Sequence, residues 1–406
     1  MTSTNLNQHR DFVRLWVGQT VSKFGSQIGA LSLLAILTLQ ATPQQMGILA
    51  TMQQAPVLLL SLFAGVWVDR QRRRPFLIAT DLGRALLLAI AGLAALSGWL
   101  TMPYLYGVAF LVGGLSLLFN IAYQAYLPTL VSRERLVEAN SKLEASASVA
   151  EIAAPGLGGI LVQLVTAPVA VLVDAASFLV SAWYVGRIEK VEEETAVAQP
   201  DATLWQNIRA GWQPLWQNRY LRPLTLASAT RNFFGGFFAS LYSLYILREL
   251  GLSPVTLGVL VGGGGIGALV GALWLGRAAS RQPIGRMLIA ALFISASFAV
   301  LTPLAAGPRW LMVFVLFLGQ IVGDTALTVY FITELTVRQM LTDDRVMGRV
   351  NATFEFLTGG AGMFGMLGGG ILGDVIGIRP SLFVAVAGFL TAVLWLHFSP
   401  LRQLTE

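Results

Sequence analysis

The chain of 406 residues is strongly apolar: 55% of its residues are hydrophobic and only 12% are charged, whereas soluble domains carry about 25% charged residues. This composition, with a mean hydropathy of +0.68, predicts an integral membrane protein and excludes an ordinary soluble domain. The net charge of +6 is small for such a chain, and we assign it to loops that contact anionic lipid, so we expect no nucleic-acid partner.

Residue types that serve metal and nucleophile chemistry are scarce. The chain has no cysteine and only two histidines, His9 and His397, which lie near opposite ends. This argues against disulfides, thiolate metal sites, cysteine nucleophiles and a histidine-based centre. A phosphate-binding loop of the form G-x-x-x-x-G-K-S/T is also missing from the sequence. We therefore expect a protein that binds no cofactor and is not an enzyme.

Twelve apolar runs, separated by charged residues, proline or glycine, follow one another along the chain. The runs are 12–40, 44–68, 76–98, 103–126, 140–166, 168–186, 223–248, 255–277, 284–306, 310–336, 348–374 and 380–398. Because a membrane span needs about 20 mainly apolar residues, each run predicts one transmembrane helix. The predicted fold class is an all-α membrane protein with twelve transmembrane helices.

The positive charges predict the orientation of these helices. Most of the 27 Lys and Arg residues lie in the two tails and the even-numbered loops, while only Arg248, Arg309 and Arg379 lie in odd-numbered loops. Since cytoplasmic loops carry an excess of Lys and Arg, both termini are predicted to lie in the cytoplasm. We expect a multi-pass protein of the cytoplasmic (inner) membrane.

An internal repeat divides the chain into two halves. Shifting the sequence by 211 residues places Pro43 on Pro254, and the G-G-I-L run at 158–161 falls on the same run at 369–372. Parallel repeats of this kind are typical of transporters with two similar bundles. We predict a six-helix bundle at 1–186, a cytoplasmic linker with an interfacial helix at 187–222, and a second six-helix bundle at 223–406.

A charged segment lies between the second and third apolar runs. Its notable residues are Gly65, Asp69, Arg70, Arg73 and Arg74. The segment resembles the G-x-x-x-D-R-x-x-R-R loop between helices 2 and 3 of the major facilitator superfamily of secondary transporters, with Arg72 where many members have glycine. The resemblance implies a gate that clamps the cytoplasmic ends of the halves, assisted by Asp81 and Arg84. The alternative is a loop that only sets topology.

The fifth run carries a second motif. Pro155, Gly158 and Gly159 resemble the G-P-x-x-G-G antiporter motif in helix 5 of drug:proton exporters, with Ala154 in place of the first glycine. The segments 12–19, 127–134 and 348–351 resemble the macrolide-efflux and enterobactin-exporter branch of the superfamily. These resemblances imply an exporter that exchanges its substrate for protons.

The major facilitator resemblance also implies that spans 1, 4, 7 and 10 line a central cavity. Polar side chains in apolar spans are functional candidates because hydrocarbon tolerates them only beside a cavity or a partner. The candidates for contact with a substrate are Gln19, Lys23, Gln27, Asn120, Tyr123, Gln124, Arg231, Gln320 and Thr328.

Two acidic residues are candidates for the proton carrier. Asp324 lies within span 10, where the alternative is a structural salt bridge with Arg231 or Lys23. Glu151 lies within span 5, where the alternative is a latch between the halves. Asp174 in span 6 is predicted to be structural.

The sequence therefore predicts a secondary exporter that works by alternating access. We expect a monomer in the lipid bilayer that expels amphipathic, drug-like small molecules in exchange for entering protons. The first alternative is a dedicated exporter of an anionic metabolite, such as a siderophore, bound by Lys23 and Arg231. A membrane-bound enzyme and a channel are further alternatives. The sequence has no recognisable catalytic motif for an enzyme. Two glycine-packed halves with a charged latch suit a rocking motion of the halves better than a permanent pore.

Overall fold

The computed structural model describes residues 6, 9–69, 71–132, 135–190, 212–278, 283–343 and 346–404; within these ranges, the side chains of residues 61–63, 65, 66, 69 and 278 are not described. In this part of the chain, twelve helices have 16 residues or more. They are α1 (Arg10–Gln27), α2 (Pro43–Asp69), α3 (Arg73–Leu96), α4 (Met102–Leu130), α5 (Leu136–Leu164), α6 (Ala167–Gly186), α7 (Leu221–Leu244), α8 (Pro254–Ala278), α9 (Ile284–Ala299), α10 (Arg309–Met340), α11 (Met347–Ile376) and α12 (Ile378–His397). The predicted all-helical fold is confirmed.

Apolar composition explains why most of these helices suit a bilayer. Ten helical stretches among the described residues are long and apolar enough to cross a membrane. Helix α7 is outside this group because Arg222, Arg231 and Asn232 dilute its apolar sequence. Within the bilayer a helix satisfies its own backbone hydrogen bonds, which is why apolar runs of this length fold in this way.

The first predicted span is interrupted. Helix α1 ends at Gln27, and a second helix, Ala30–Leu37, begins after Gly29, whose φ of 67° is left-handed. Glycine adopts this conformation without the steric cost that other residues meet. The predicted run 12–40 is therefore two helical segments joined at Gly29.

The ninth span is also divided. Helix α9 ends at Ala299 and is followed by a short turn, Leu301–Leu304. Pro303 lies within that turn, and proline removes a backbone donor and clashes with the carbonyl four residues earlier. This places the break at the carbonyl of Ala299, the residue at which α9 ends.

The chain divides into two compact units. The first contains Met1–Ala41, Met52–Ala198 and Ser253–Val259. In it, α3 packs along α6, and α1 packs against α6 and α5. Its core contains Phe12, Leu15, Leu77, Phe119, Tyr126 and Val185.

The second unit contains Thr42–Thr51, Gln199–Leu252 and Leu260–Glu406. In it, α7 packs against α11 and α12, and α9 packs against α10. Its core contains Leu224, Leu288, Leu292, Tyr330 and Val337. The predicted linker at 187–222 stays a prediction, because residues 191–211 lie outside the described residues.

Glycines allow the closest helix contact in the second unit. A Cβ atom added at Gly365 on α11 would lie 1.7 Å from the carbonyl oxygen of Phe233 on α7, and one at Gly369 would lie 2.6 Å from Cα of Phe237. Small residues let helix backbones approach in lipid, where van der Waals packing drives association. The glycine face of the eleventh span is thus a packing surface for α7.

Candidate functional site

A cavity of about 330 Å³ lies within the second unit. Helices α7 and α10 supply most of its wall, and α8, α9 and α12 complete it. Its polar lining includes Arg231 and Tyr242 of α7 with Gln320 and Asp324 of α10, while Phe238 and Phe389 contribute aromatic surface. The cavity therefore combines two opposite charges with an apolar wall.

Asp324 is held by its own helix and by a close approach of α8. Gln320 and Asp324 are four residues apart, so both side chains lie on one face of α10, and Nε2 of Gln320 donates a hydrogen bond to Oδ2 of Asp324. A Cβ atom on Gly264 of α8 would lie 2.3 Å from that same oxygen. The carboxylate thus occupies space that a side chain at Gly264 would fill.

The rest of this face of α10 packs on α8. The hydroxyl of Thr325 donates to the carbonyl of Gly267 at 2.9 Å. A Cβ atom at Gly271 would lie 3.2 Å from Cβ of Thr328. Thr328 therefore contacts α8, whereas Gln320 and Asp324 line the cavity.

Arg231 lies between two aromatic rings. Its Cζ atom is 5.4 Å from the ring centroid of Phe331 and 5.3 Å from that of Phe389. Its Nη1 atom also lies 3.5 Å from Oδ1 of Asn232, to which it donates. A guanidinium over aromatic faces is stabilised by the ring quadrupole. Arg231 and Asp324 thus bring opposite charges to the wall of one cavity.

In the first unit, the predicted polar residues of α1 point in different directions. Gln19 is buried, and its Nε2 atom donates to Oγ of Ser181 on α6 at 3.4 Å. Lys23 and Gln27, one and two turns later, are exposed. Of the three residues on α1, two are therefore exposed, and Gln19 is bound to a neighbouring helix.

The α4 candidates also divide by exposure. Asn120 and Gln124 are exposed, and Tyr123 is half-buried. The ring of Tyr123 stacks on that of Phe119, with centroids 6.1 Å apart. Tyr123 therefore forms part of the packing of α4, while the two amides stay available.

The motif in α5 forms close backbone contacts within the first unit. A Cβ atom at Gly158 would lie 2.7 Å from Cγ2 of Ile28, and one at Gly159 would lie 2.3 Å from the carbonyl oxygen of Pro254. The carbonyl oxygen of Pro155 would lie 2.1 Å from a Cβ atom at Gly258. Glu151, one turn earlier, is exposed. These contacts make the motif a packing site beside an accessible carboxylate.

The predicted gate motif is described only in part. Arg70 lies outside the described residues, and the side chains of Gly65 and Asp69 are not described. Arg73 and Arg74 begin α3. The side chain of Arg74 donates to the last carbonyls of α6, those of Val185 and Gly186, which is a favourable position for a cation. The gate itself stays a prediction.

The sequence assigned Asp81 and Arg84 of α3 to the gate and gave Asp174 of α6 a structural role, but it did not predict that the three form one buried charge cluster in the first unit. Their exposed fractions are 0%, 5% and 7%. Nη2 of Arg84 donates to Oδ1 of Asp81. The guanidinium lies 4.3 Å and 4.2 Å from the ring centroids of Phe119 and Phe178. A signal was available: Arg84 lies about 16 Å into the apolar helix α3, where a charged side chain needs a partner.

A second missed cluster lies in the second unit. Nε of Arg338 is 3.7 Å from Oε1 of Glu334, and its Nη2 atom is 3.5 Å from Oε1 of Glu355. Glu334 and Arg338 are buried, and Glu355 is exposed. The spacing of four residues between a glutamate and an arginine on one helix was the available signal.

Comparison with known proteins gives a consistent result. Residues 15–356 match the family model described as the Major Facilitator Superfamily. The MFS-type transporter YfiS of Bacillus subtilis (strain 168), described as uncharacterized, is 24% identical over 403 residues, covering 95% of this chain and 92% of that protein. The multidrug efflux pump Tap of Mycolicibacterium fortuitum is 26% identical over 365 residues, covering 86% of each chain.

A solved structure shares the fold. A bacterial homologue of the iron transporter ferroportin, in an inward-facing state, superposes with a TM-score of 0.77 at 18% identity, covering 96% of this chain and 98% of that one. Among the described residues of the present chain, no group of three or more His, Cys, Asp or Glu side chains is arranged to hold a metal ion. Helices of membrane-spanning length and a family match over most of the chain define a multi-pass secondary transporter of small molecules, not an enzyme: the chain belongs to the Major Facilitator Superfamily.

Proposed function

We propose that the protein is a secondary active exporter that expels amphipathic, drug-like small molecules in exchange for protons, by alternating access. The observation that carries the proposal is the cavity of about 330 Å³ with Arg231 and Asp324 in its wall. Ligand pockets of about 300–1,000 Å³ with a few polar groups in an apolar lining suit molecules of this kind. The relatives described as multidrug efflux pump Tap agree with export, as does the likeness to the macrolide-efflux and enterobactin-exporter branch.

Recognition would divide between the two parts of the cavity wall. Phe238, Leu327 and Phe389 offer surface to the apolar part of a substrate, which needs little directional matching. Asp324 and Arg231 offer one charge of each sign to its polar part. A wall with few fixed hydrogen bonds favours breadth over strict selectivity.

Asp324 is the first candidate for the proton carrier. Its carboxylate lies in the cavity with a hydrogen bond from Gln320, where a bound substrate and a proton would compete for it. Glu151, which is exposed beside the α5 motif, is the second candidate. The substrate contacts from Lys23, Gln27, Asn120 and Gln124 belong to the same proposal.

The driving force is sufficient for useful accumulation. A membrane potential of about 100 mV supplies about 2.3 kcal/mol per charge, and one pH unit adds about 1.4 kcal/mol. For an uncharged substrate they together support a gradient of several hundred-fold per proton, since about 1.4 kcal/mol corresponds to a factor of ten. One-for-one exchange of a monovalent cation moves no net charge and uses the pH difference alone. The distribution of its Lys and Arg residues supports a location in the cytoplasmic membrane with both termini in the cytoplasm. That the protein acts as a monomer is part of the same proposal.

A dedicated exporter of an anionic metabolite is the second candidate function. The observation that favours it is the cationic side chain of Arg231 in the cavity wall, with Lys23 exposed on α1. A siderophore or a sugar acid would satisfy this chemistry.

Inside-out vesicles with an acidic lumen separate the two functions. We expect ethidium, rhodamine 6G and at least one uncharged dye to accumulate, and the accumulation to collapse when nigericin dissipates the pH gradient. Asp324→Asn should abolish this uphill movement. Accumulation of a single anionic compound would favour the dedicated exporter, and no pH-dependent movement of any probe would contradict both.

A further inference from the structure

The charge cluster of α3 and α6 has more acidic than basic groups. Arg84 lies within electrostatic range of both carboxylates, Asp81 and Asp174, and among the described residues it is the cation that acts on either of them. With all three groups ionised the cluster would carry one net negative charge. All three side chains are at least nine-tenths buried.

A buried net charge is strongly disfavoured because the interior solvates it poorly, and an ionisable group in such a position tends to become neutral. One proton on the two carboxylates would make the cluster neutral. The hydrogen bonds of the cluster do not prevent protonation of Asp81. Its Oδ2 atom is buried and has no hydrogen-bond partner, and the same is true of Nε of Arg84.

The cluster of α10 and α11 supplies an internal contrast. It also contains two carboxylates and one guanidinium, but Glu355 is exposed and can stay ionised in contact with solvent. Glu334 and Arg338 then form a neutral buried pair without any added proton. The two clusters have the same formal charge. They differ because both acids, Asp81 and Asp174, are buried in the first unit, whereas one of the two acids in the second unit is exposed.

Uncharged groups of three helices complete the surroundings. Ser177 of α6 donates to Oδ1 of Asp174 at 3.4 Å, and Ser116 of α4 accepts from Nη1 of Arg84 at 3.4 Å. Ser181 lies next to Asp81 and accepts from Gln19 of α1. The titratable groups that lie beside Arg84 here are therefore the two aspartates.

Helix α1 lies against the cluster and also carries exposed polar residues. A Cβ atom at Gly25 would lie 2.2 Å from Oγ of Ser177 and 2.7 Å from Oδ1 of Asp174. Lys23, two residues earlier, is exposed. A small movement of α1 would therefore change the surroundings of the acids and the position of Lys23 together.

We propose that Asp81 and Asp174 together bind one proton beside Arg84. Uptake forms one O–H bond on a carboxylate oxygen at the expense of a hydronium ion, and release returns the proton to water, with no electron transfer. The claim that a proton is bound depends only on the burial and charge of these three residues. Its use in transport rests on the proposed exporter function.

Infrared difference spectroscopy of the purified full-length protein in liposomes tests proton binding. The parent protein would carry Asp324→Asn and Glu334→Gln, so that acids of the second unit do not contribute. At neutral pH we expect a C=O stretching band with the intensity of one protonated carboxyl group. The band should shift in D₂O, and its intensity should be the same in sodium and choline buffers. Asp81→Asn and Asp174→Asn should each remove it, because either change leaves the cluster neutral without a proton.

The control variant is Glu138→Gln, which changes an exposed carboxylate at the start of α5 and should keep the band. If the parent lacks the band, both aspartates are ionised and the proposal is wrong, whether or not the variants fold. A band that is lost in sodium buffer would assign the site to a cation and would also overturn the proposal.

Transport of ethidium tests the use of the proton. We expect Asp81→Asn and Asp174→Asn to keep downhill exchange of ethidium across liposomes and to lose at least ten-fold of its pH-driven accumulation. Full accumulation in both variants would refute the coupling role. If the unmutated protein moves no dye, the exporter proposal fails, while the infrared result still decides whether the proton is bound.

Discussion

Replacing Gly264 with alanine should disturb the Asp324 carboxylate without removing it. The added Cβ atom would lie 2.3 Å from Oδ2 of Asp324 and 2.8 Å from Nε2 of Gln320. Ordinary van der Waals contact starts near 3.4 Å, so the carboxylate must move by about 1 Å. This would break its hydrogen bond with Gln320 and shift the proposed proton site in the cavity.

The loss of stability caused by overpacking at Gly264 can be separated from the gain in stability that alanine gives any helix. Alanine stabilises a helix by about 1 kcal/mol relative to glycine, while overpacking costs about 1–3 kcal/mol. Gly276→Ala is the matched control, because it lies on the same helix and an added Cβ there meets no atom within 4 Å. The helix gain is common to both variants, so Gly264→Ala should be less stable than Gly276→Ala by about 1–3 kcal/mol.

Two measurements check this prediction. Thermal unfolding of the purified protein should give Gly264→Ala a melting temperature a few degrees below that of Gly276→Ala. In inside-out vesicles, Gly264→Ala should slow pH-driven ethidium accumulation, and Gly276→Ala should match the unmutated protein. Equal melting temperatures and equal transport in the two variants would refute the inferred contact between α8 and Asp324.

Three further predictions concern other parts of the chain. Arg231→Gln should favour lipophilic cations over anions in initial export rates, because it removes a positive charge from the cavity, and unchanged ratios would count against Arg231 as a substrate contact. Gly365→Ala should lower the melting temperature sharply, since its Cβ would lie 1.7 Å from the carbonyl oxygen of Phe233, whereas Gly359→Ala on the same helix meets nothing within 4 Å and should be tolerated. Arg74→Ala should destabilise the protein by about 1–2 kcal/mol, because the last carbonyls of α6 lose a charged donor; an unchanged melting temperature would contradict that role.

The helices could be predicted from the sequence because the requirement for a long apolar segment is strong and local. The break at Gly29 could not, since glycine also occurs within continuous membrane helices, as at Gly365. What distinguishes the two is a neighbour: Gly365 packs closely on α7, whereas an added Cβ at Gly29 meets nothing within 4 Å.

The polar residues of the candidate site show a similar limit. The four-residue spacing of Gln19, Lys23 and Gln27 predicts one broad helix face, yet eight residues of helix at 100° each leave the first and last about 80° apart. That angle allows Gln19 to bond Ser181 while Gln27 is exposed. Helical spacing predicts a broad polar face, but it does not predict which side of that face packs against another helix.

The buried charges depended on partners that are distant in sequence. Asp81 and Arg84 are on α3 and Asp174 is on α6, and no local pattern relates the two helices. Their position well inside apolar helices was the local sign that each needs a partner there.

Simultaneous measurement of proton and dye movement tests the account most directly. Inside-out vesicles with an acidic lumen would be given ethidium while a trapped pH indicator reports the lumen. We predict that ethidium uptake by the unmutated protein raises the lumenal pH, and that Asp324→Asn shows neither the uptake nor the pH change. Ethidium uptake by the unmutated protein without any proton efflux, or full coupling in Asp324→Asn, would contradict the proposed exchange at this cavity.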